Sequence, residues 1–480
     1  MQLRPYQING INRVRHEFKT GAKSVILVAA TGSGKTVVSS EIMRSAVRKG
    51  SKVLFLAHRI ELITQTCDKL SAFDLEHKIY APEKDITAIR HKQVRKYGKS
   101  RVDPFANIAV GTVQTVSRRL DKITEPDLII IDETHLAIAN SYQKICNAFP
   151  RARILGLTAT PCRLDGRPLG EMFERITVLA SPQEIADMGF LVPFRIFSAS
   201  ETVDLSSIKT TMGDYDKKQL AEEMEKPRLI GNAVSHYKKL AHGRPTIAFC
   251  SSVRHAEQTA AAFRQAGYKA IAVSGESTPE ERSGAVEGLA TGDYDVVCNC
   301  GLYIEGLDQP CISCVILLNP TKSLARYLQA VGRGSRPFKN KTDCLVLDHA
   351  GNVLRFGFPY DDREWSLDGA KKKTRKRDSD EQDINIVTCK ECFAIYEKEL
   401  DKCPACGALQ PKPKARQIQQ EDGELVEIDP LVMRAQRLNE NRSARTLEEL
   451  IELGVSRQYK YPRQWAERQI QIREKYRAKR

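Results

Sequence analysis

The chain has 480 residues, which exceeds a single hydrophobic core and predicts about three domains at ~150 residues each. Hydrophobic residues make up 41% of the sequence, so it can bury real cores. The formal net charge of +15 favours a polyanionic partner over an anionic membrane surface.

No stretch of the sequence predicts a membrane segment or an export signal. The longest apolar runs, such as 24–30 and 128–131, are far shorter than the ~20 residues that cross a bilayer. The stretch from Met1 to Tyr6 lacks the apolar core of a signal peptide. We therefore expect a cytoplasmic protein with no membrane partner, whose 13 cysteines are reduced thiols or metal ligands.

Residues 29–36 are typical of a phosphate-binding loop. An apolar run at 24–30 predicts a buried strand before the loop, and residues 35–49, free of Gly and Pro, predict a helix after it. Glycines let backbone N–H groups turn toward an anion at the start of a helix. The residues expected around the phosphates are Thr31, Gly32, Ser33, Gly34, Lys35 and Thr36.

In such a loop, Lys35 meets the β- and γ-phosphates of a nucleotide and the Thr36 hydroxyl binds Mg²⁺. Ala29 occupies the position of the usual first glycine of the pattern. A glycine-rich turn with an exposed lysine is therefore the alternative interpretation at this point.

Short apolar runs alternate with helical patterns up to residue 191, which predicts a doubly wound parallel sheet. The run at 127–131 leads directly into Asp132 and Glu133. Ligands bind at the carboxyl ends of strands in such sheets, so Asp132 suits Mg²⁺ and Glu133 suits activation of a water. An acidic helix N-cap is the alternative. The other strand candidates after the loop are 53–57, 107–111 and 153–157.

The sequence Asp-Glu-Thr-His at 132–135, the Thr-Ala-Thr-Pro at 158–161 and the loop together resemble superfamily 2 DExH-box helicases. The resemblance implies two RecA-like lobes and catalytic roles for Asp132, Glu133 and His135. It further implies that Gln7, with Arg4 or Tyr6, contacts the adenine of ATP. Residues that it assigns to coupling of the ATP site and the nucleic-acid contacts are Thr158, Thr160 and Gln329.

Two strand-end loops resemble the segments of this family that contact the nucleic-acid backbone. They contain Arg59 and Thr112, a cationic fork and a hydroxyl donor that both suit phosphate oxygens. An ordinary polar loop residue is the alternative for each. Ser251 and Ser252 resemble a further segment of the family, whose hydroxyls contact phosphates, and Gly306 with Asp308 resemble the one near the ribose.

After an irregular segment at 192–243, interpreted as a crossover with a short helical insertion, strand and helix patterns resume. They predict a second parallel sheet within 244–360 that has no phosphate loop. The strand candidates are 246–250, 270–273, 295–298, 314–318 and 344–347.

Arg333 and Arg336 are three residues apart at what the sequence suggests is the start of a helix, so both can point at one anion. Across a cleft from Lys35 they would act as arginine fingers on the γ-phosphate. A basic surface helix is the alternative. With Gln329 and Gly332 the arginines match the QxxGRxxR pattern of the helicase family, which favours the finger role.

Cys389, Cys392, Cys403 and Cys406 form two CxxC pairs separated by ten residues. Four thiolates suit a closed, structural Zn²⁺ site, with a rubredoxin-like iron site as the alternative. Four further cysteines, Cys298, Cys300, Cys311 and Cys314, have CxC and CxxC spacings that also suggest a metal site. They are interpreted instead as core cysteines.

The C-terminal tail, 411–480, predicts a helix at 431–453 followed by a basic stretch at 455–480 with nine Lys or Arg against two Glu. Trp465, flanked by cations, suits stacking on DNA bases, or it docks the helix on a lobe. The order of two lobes, a four-cysteine module and a basic tail resembles RadD-type bacterial and phage helicases.

The sequence thus predicts an α/β protein with two tandem RecA-like lobes, a zinc module and a helical tail. The expected function is an ATP-dependent DNA helicase or translocase in repair or recombination, with ATP, Mg²⁺ and structural Zn²⁺. Its expected partners are single-stranded or forked DNA and a single-strand-binding or repair protein. Alternatives are an RNA helicase, a restriction-complex motor and a non-enzymatic zinc-dependent scaffold. The expected segments are 1–191, 192–243, 244–360, 361–385, 386–410 and 411–480.

Overall fold

The computed structural model divides into two compact units, Met1–Ile196 with Asp204–Gly369, and Phe197–Val203 with Ala370–Arg480. None of the described helices is long and apolar enough to cross a membrane. The residues that the structure describes are 3–136, 140–162, 168–199, 208–211, 214–225, 227–303, 309–368, 386–388, 395–397, 425–428, 441, 443–444, 446–457 and 462–477.

The first lobe is built on a seven-stranded parallel sheet in the order β3-β4-β2-β5-β6-β1-β7. Its central strands are buried on both faces, as their continuous apolar sequences predict. The strands are β1 (Ser24–Val28), β2 (Val53–Ala57), β3 (Lys78–Tyr80), β4 (Ile108–Thr112), β5 (Leu128–Asp132), β6 (Arg153–Thr158) and β7 (Arg175–Val178).

Helices cover both faces of this sheet. Alternate residues of β1 separate into two cores, because Leu27 packs with the cluster on one face and Ile26 with the cluster on the other. The helices are α1 (Pro5–Lys19), α2 (Lys35–Val47), α3 (Ile60–Ala72), α4 (Glu83–Tyr97), α5 (Val113–Ser117), α6 (Asn140–Ala148) and α7 (Pro182–Asp187).

The second lobe has a sheet in which strands run in the order β12-β13-β11-β14-β15-β8. Strands β11 to β15 pair in parallel. The strands of this lobe, with a small hairpin β9–β10, are β8 (Phe194–Ala199), β9 (Thr210–Thr211), β10 (Asp214–Tyr215), β11 (Thr246–Cys250), β12 (Ala270–Val273), β13 (Val296–Cys300), β14 (Cys314–Leu318) and β15 (Cys344–Asp348).

The predicted fold class is confirmed, and the predicted strands of both sheets lie within two residues of the observed ones. The segment interpreted as a crossover also supplies strand β8 to the second sheet, which the sequence pattern did not indicate. The helices of this region are α8 (Lys217–Met224), α9 (Pro227–His236), α10 (Val253–Gln265), α11 (Pro279–Thr291), α12 (Leu324–Gly332) and α13 (Asn352–Phe356).

Residues 357–368, here called the strap, return from the end of α13 to the first lobe. The Tyr360 ring lies 4.9 Å from the Phe194 ring, and its hydroxyl donates to the Val192 carbonyl at 2.5 Å. Farther on, Trp365 and Leu367 pack against the core under the first sheet. The strap therefore joins the two lobes through a second connection besides the crossover.

In the second unit, the described strands β16 (Ile386–Thr388) and β17 (Ile395–Glu397) pair antiparallel, and β18 covers Leu425–Ile428. Helices α14 (Leu447–Ser456) and α15 (Pro462–Arg477) pack on each other. Of the predicted helix at 431–453, the part from 447 onward is helical in α14. The four zinc-ligand candidates, Cys389, Cys392, Cys403 and Cys406, lie outside the described residues.

Candidate nucleotide-binding site

The phosphate loop adopts the backbone conformation that its glycines predict. Gly32 and Gly34 have φ values of 85° and 88°, in the left-handed region that favours glycine, and α2 begins at Lys35. The Ser33 side chain is fully buried, and its hydroxyl has no hydrogen-bond partner in the described structure. An orphaned hydroxyl inside a loop that opens onto a helix N-terminus fits an anion such as phosphate.

The N-terminal segment holds this loop in place. The Gln7 side-chain amide and the Tyr6 hydroxyl both donate to the Ser33 carbonyl, at 3.1 and 2.8 Å. A Cβ atom on Gly34 would lie 2.6 Å from Gln7 Nε2, so this approach requires glycine. The segment predicted to contact adenine therefore lies directly against the phosphate loop.

Sequence reasoning missed Phe190, which lies in the same segment of the site. The Arg4 guanidinium lies 4.2 Å from the centre of the Phe190 ring, and the Tyr6 ring is 5.7 Å away. Phe190 follows a turn at Gly189, where φ is 74°, and no motif indicates it. A planar cation on an aromatic ring next to Gln7 forms a surface suited to a flat base.

The acidic strand end lies opposite the loop. Asp132 is the last residue of β5, and Glu133 follows it with φ of 49°, a left-handed conformation that costs roughly 1–3 kcal/mol outside glycine. This backbone conformation directs the Glu133 carboxylate toward Lys35, and Lys35 Nζ lies 2.9 Å from Glu133 Oε1. Its other oxygen accepts a hydrogen bond at 3.2 Å from the Gln329 amide of the second lobe.

Burial and the neighbouring charge of Glu133 raise the pKa of Asp132 to about 6, while Lys35 opposes the shift. The direction of this pKa shift reflects burial together with repulsion between two carboxylates that are crowded at this strand end. A divalent cation would relieve that repulsion. The Asp132 carboxylate and the Thr36 hydroxyl offer hard oxygen ligands, so the residues present fit Mg²⁺.

Thr158 and Thr160 connect the acidic strand end to the phosphate-loop strand. The Thr158 hydroxyl accepts from the Thr160 backbone N–H at 3.1 Å and lies 3.3 Å from His135 Nδ1. The Thr158 carbonyl accepts from the Ala29 N–H at 2.8 Å. His135 Nδ1 is also 3.5 Å from a Glu133 oxygen. Displacement of Glu133 would therefore change the contacts of His135 and, through them, those of the turn at Thr158.

The arginine motif lies at the end of a helix, so the prediction of a helix start was wrong. α12 covers Leu324–Gly332, Arg333 is its C-cap residue, and Arg336 lies in the loop that follows. The apolar positions of 324–332 form the helix, and the glycines at 332 and 334 allow it to end against neighbouring elements. Arg333 is buried and Arg336 is half-buried.

This helix end packs directly on the phosphate loop. A Cβ atom on Gly332 would lie 2.5 Å from the Thr31 Cβ atom, and one on Gly32 would lie 2.8 Å from Ser335 Oγ. The Ser335 carbonyl accepts from the Val192 N–H at 2.8 Å. Nucleotide binding and the arginine motif thus share one interface between the lobes.

Each residue predicted to contact nucleic acid on the two lobes makes a local hydrogen bond in the structure. Thr112 is the N-cap of α5 and accepts from the Thr115 N–H at 3.4 Å. Ser252 is the N-cap of α10, and its hydroxyl also donates to Glu225 Oε1 at 2.6 Å. The other candidates of this group on the lobes are Arg59, which donates to His58 Nε2 at 3.2 Å, and Ser251, whose hydroxyl is 2.9 Å from His255 Nδ1.

Gly306 and Asp308, predicted near the ribose, lie outside the described residues. In the second unit, Trp465 is half-buried on α15, and the Arg457 guanidinium is 5.8 Å from its ring centre. A Cβ atom on Gly454 would lie 3.2 Å from the Trp465 ring, so the ring packs against α14. These contacts lie within the tail, and both base stacking and docking of the helix on a lobe stay predictions.

The cysteines at 298–314 have the buried character expected of core residues. Cys298 and Cys314 are fully buried, and burial raises the pKa of the Cys314 thiol. Among the described parts of the chain, no group of three or more His, Cys, Asp or Glu side chains could hold a metal ion.

The contact between Gly332 and Thr31 leads to a prediction. Gly332→Ala places a methyl group against the phosphate loop, which costs about 1–3 kcal/mol in a packed site, so ATP hydrolysis should fall roughly tenfold or more. The matched control is Gly284→Ala on α11, where a Cβ atom meets nothing within 4 Å. Steady-state ATPase rates of the two variants provide the measurement, and equal rates would show that this interface is not formed during turnover.

Comparison with known proteins identifies two helicase-type domains in this chain. Residues 1–163 match the family model "Type III restriction enzyme, res subunit", and residues 225–337 match the "Helicase conserved C-terminal domain". Together these models cover both lobes, including the phosphate loop, the acidic strand end and the arginine motif.

Three relatives illustrate the range of similar proteins. A 51.5 kDa protein of a Lactococcus phage is 29% identical over 378 residues, 78% of this chain and 76% of that one. The Saccharomyces cerevisiae ATP-dependent helicase IRC3 is 30% identical over 73% of this chain, but this chain spans only 51% of its length. An Escherichia coli type I restriction enzyme, EcoAI, has an endonuclease subunit that is 25% identical over 69% of this chain and 44% of the subunit.

Two solved structures share the fold. An HsdR subunit fragment of a type I restriction enzyme from Vibrio vulnificus superposes with a TM-score of 0.56 at 23% identity, covering 74% of this chain and 65% of that one. The Type ISP restriction-modification enzyme LlaBIII, bound to DNA, has a TM-score of 0.52 at 18% identity, covering 72% and 27%. The two parallel-sheet lobes and both matched helicase models show that this chain belongs to the superfamily 2 helicases, which are nucleic-acid-dependent ATPases.

Proposed function

We propose that this chain hydrolyses ATP to move along or remodel DNA, in repair or recombination. The observation that carries the proposal is the position of the Glu133 carboxylate. One oxygen is bound by Lys35 of the first lobe and the other by Gln329 of the second. A group that is contacted by both lobes can link hydrolysis to their relative movement.

In the proposed reaction, Lys35 exchanges its Glu133 partner for the β- and γ-phosphates of ATP. The exchange leaves the Glu133 carboxylate available to orient and polarise the attacking water. Asp132 and Thr36 would hold Mg²⁺, which supplies positive charge at the phosphates. Arg333 and Arg336 would approach the γ-phosphate from the second lobe and stabilise the charge that develops as it leaves.

Loss of the γ-phosphate would remove the anion that draws the two lobes together. Each lobe would then change its distance from the other once per turnover, and so would the proposed contacts with the nucleic-acid backbone. These contacts are Arg59 and Thr112 on the first lobe and Ser251 and Ser252 on the second. Because Thr112 and Ser252 are N-caps, a bound phosphate would also meet a helix N-terminus at those residues. Thr158 and Thr160 would relay the state of the site, and Gly306 with Asp308 would lie near the ribose.

DNA is the favoured polymer for two reasons. The net charge of +15 suits a polyanion. Among the similar proteins, the EcoAI relative is a restriction endonuclease subunit and LlaBIII was solved bound to DNA. Those relatives also favour a second candidate function, as the motor subunit of a restriction-like complex. That function requires a nuclease partner, which would be recovered together with this chain on purification.

The test is ATP hydrolysis in the presence of different polymers. We expect single-stranded or forked DNA to stimulate turnover more than matched RNA. Lys35→Ala should reduce turnover to below about a tenth, because loss of a group that stabilises transition-state charge typically costs 10²–10³-fold. Stronger stimulation by RNA would instead establish an RNA helicase, and residual turnover in Lys35→Ala would remove the phosphate loop from the mechanism.

We also propose a structural Zn²⁺ held by Cys389, Cys392, Cys403 and Cys406. Support comes from the spacing of two CxxC pairs and from the cysteines of the described residues, which are free thiols as in a reducing cytoplasm. The purified chain should contain one equivalent of zinc. Cys403→Ser should lose it while basal ATPase persists, because the cysteines lie outside both lobes. Elemental analysis that finds iron, or no metal, would contradict a closed zinc site.

A further inference from the structure

Helix α4 of the first lobe presents a strongly cationic surface that no helicase motif includes. Between residues 86 and 102 the sequence has six cations and no carboxylate. We call the exposed part of this region the α4 surface. Its members are Arg90, Lys92, Val94, Arg95, Lys99 and Phe105.

Part of this charge is neutralised and part is not. Lys96 pairs with Asp68 at 2.7 Å, Lys99 lies 3.6 Å from Asp74, and Arg90 lies 4.0 Å from Glu83. Arg101 also contacts Asp74. In the part of the chain that the structure describes, no carboxylate lies within salt-bridge distance of Lys92 or Arg95. These two exposed side chains therefore project uncompensated positive charge.

The same surface exposes large apolar side chains. Val94 on α4 is 49% exposed and Phe105 is 89% exposed, a larger fraction than any other big hydrophobic side chain among the described residues. Phe105 lies in the loop from α4 to β4. The side-chain oxygen of Gln93 accepts a hydrogen bond from the Arg101 N–H at 2.9 Å, which holds the start of that loop against α4. The exposed ring is consequently held on a fixed backbone next to the cations.

The fold places this surface on the flank of the first lobe, toward the opposite end of the strands from the predicted nucleic-acid contacts. β3 is the edge strand of the first sheet and pairs with β4, and α4 connects these two strands. The neighbouring strands β2 and β4 end at the loops that contain Arg59 and Thr112. Because α4 runs back from the carboxyl end of β3 to the amino end of β4, its cations at 92–99 lie toward the amino ends of these strands.

We propose that the α4 surface is an accessory site for the phosphate backbone of DNA on the flank of the first lobe. The helix has 15 residues and is about 22 Å long, whereas duplex DNA carries one charge per ~1.7 Å, so about a dozen phosphates run beside it. Lys92 and Arg95 are three residues apart on one helix face, and Lys99 follows the C-cap residue Gly98. This inference rests on the proposed DNA-directed function.

The experiment measures binding of the full chain to forked DNA at several salt concentrations. Lys92→Ala/Arg95→Ala should lower the log–log salt slope by about 1.4–1.8, since each phosphate contact contributes roughly 0.7–0.9. Affinity should fall roughly 25- to 60-fold near 0.1 M salt, which is the same change in slope expressed at that concentration. ATP hydrolysis at saturating DNA should be unchanged, because neither residue contacts the nucleotide site.

The charge-matched control is Lys238→Ala/Lys239→Ala, two exposed cations of the second lobe, which should keep the wild-type slope. An unchanged slope in Lys92→Ala/Arg95→Ala, with wild-type DNA binding intact, would overturn the α4 site and leave an acidic protein as its partner. An equal loss in the control would reduce the effect to bulk charge and overturn it as well. Wild-type protein that neither binds DNA nor responds to it would instead remove the proposed function, and the α4 site with it.

Discussion

Both lobes contact one buried carboxylate, that of Glu133. The side chains of Lys35 and Glu133 are only 16% and 6% exposed, and their ion pair lies under the Gln329 amide. Removal of one partner from a buried pair typically costs about 3–5 kcal/mol, because the remaining charge is left without compensation. Lys35 can therefore leave Glu133 only when another anion replaces it. The nucleotide phosphates are that anion in the proposed reaction.

The same constraint explains why the site depends on glycine and on strain. Gly32 and Gly332 allow the phosphate loop and the end of α12 to approach each other within contact distance. Glu133 occupies a left-handed conformation that points its carboxylate between the lobes. The strap adds a second connection outside the site through Tyr360 and Trp365. It helps to bound a cavity of about 310 Å³ beside Thr31. Movement of the lobes must therefore either bend the strap or release it.

The sequence was sufficient to predict the features that local chemistry determines. Strand β5 is a run of apolar residues that ends in two carboxylates, and the phosphate loop has glycines where the backbone turns, so both could be located from pattern alone. The pairing of Lys35 with Glu133 across 98 residues follows from the strand order of a doubly wound sheet.

Features that depend on tertiary packing could not be predicted in this way. Phe190 has no periodic pattern around it, and its place beside Arg4 depends on how the loop after α7 folds back. The sequence predicts a helix start at the arginine motif, but the residues before the motif form α12 and the motif follows the end of that helix. Strand β8 and the strap are recognisable only by the elements they pack against, which are distant in sequence.

Glu133→Gln tests the central claim most directly, because it keeps the shape of the side chain and removes its charge. Lys35 then loses its competing partner, so the account predicts that ATP binds at least as tightly as to the wild type. Single-turnover hydrolysis should fall at least about 100-fold, the usual contribution of a general base. Equilibrium binding of ATP and single-turnover hydrolysis on saturating DNA give both values. Hydrolysis at the wild-type rate would contradict the account, since the carboxylate shared by the two lobes would then not be the group that activates water.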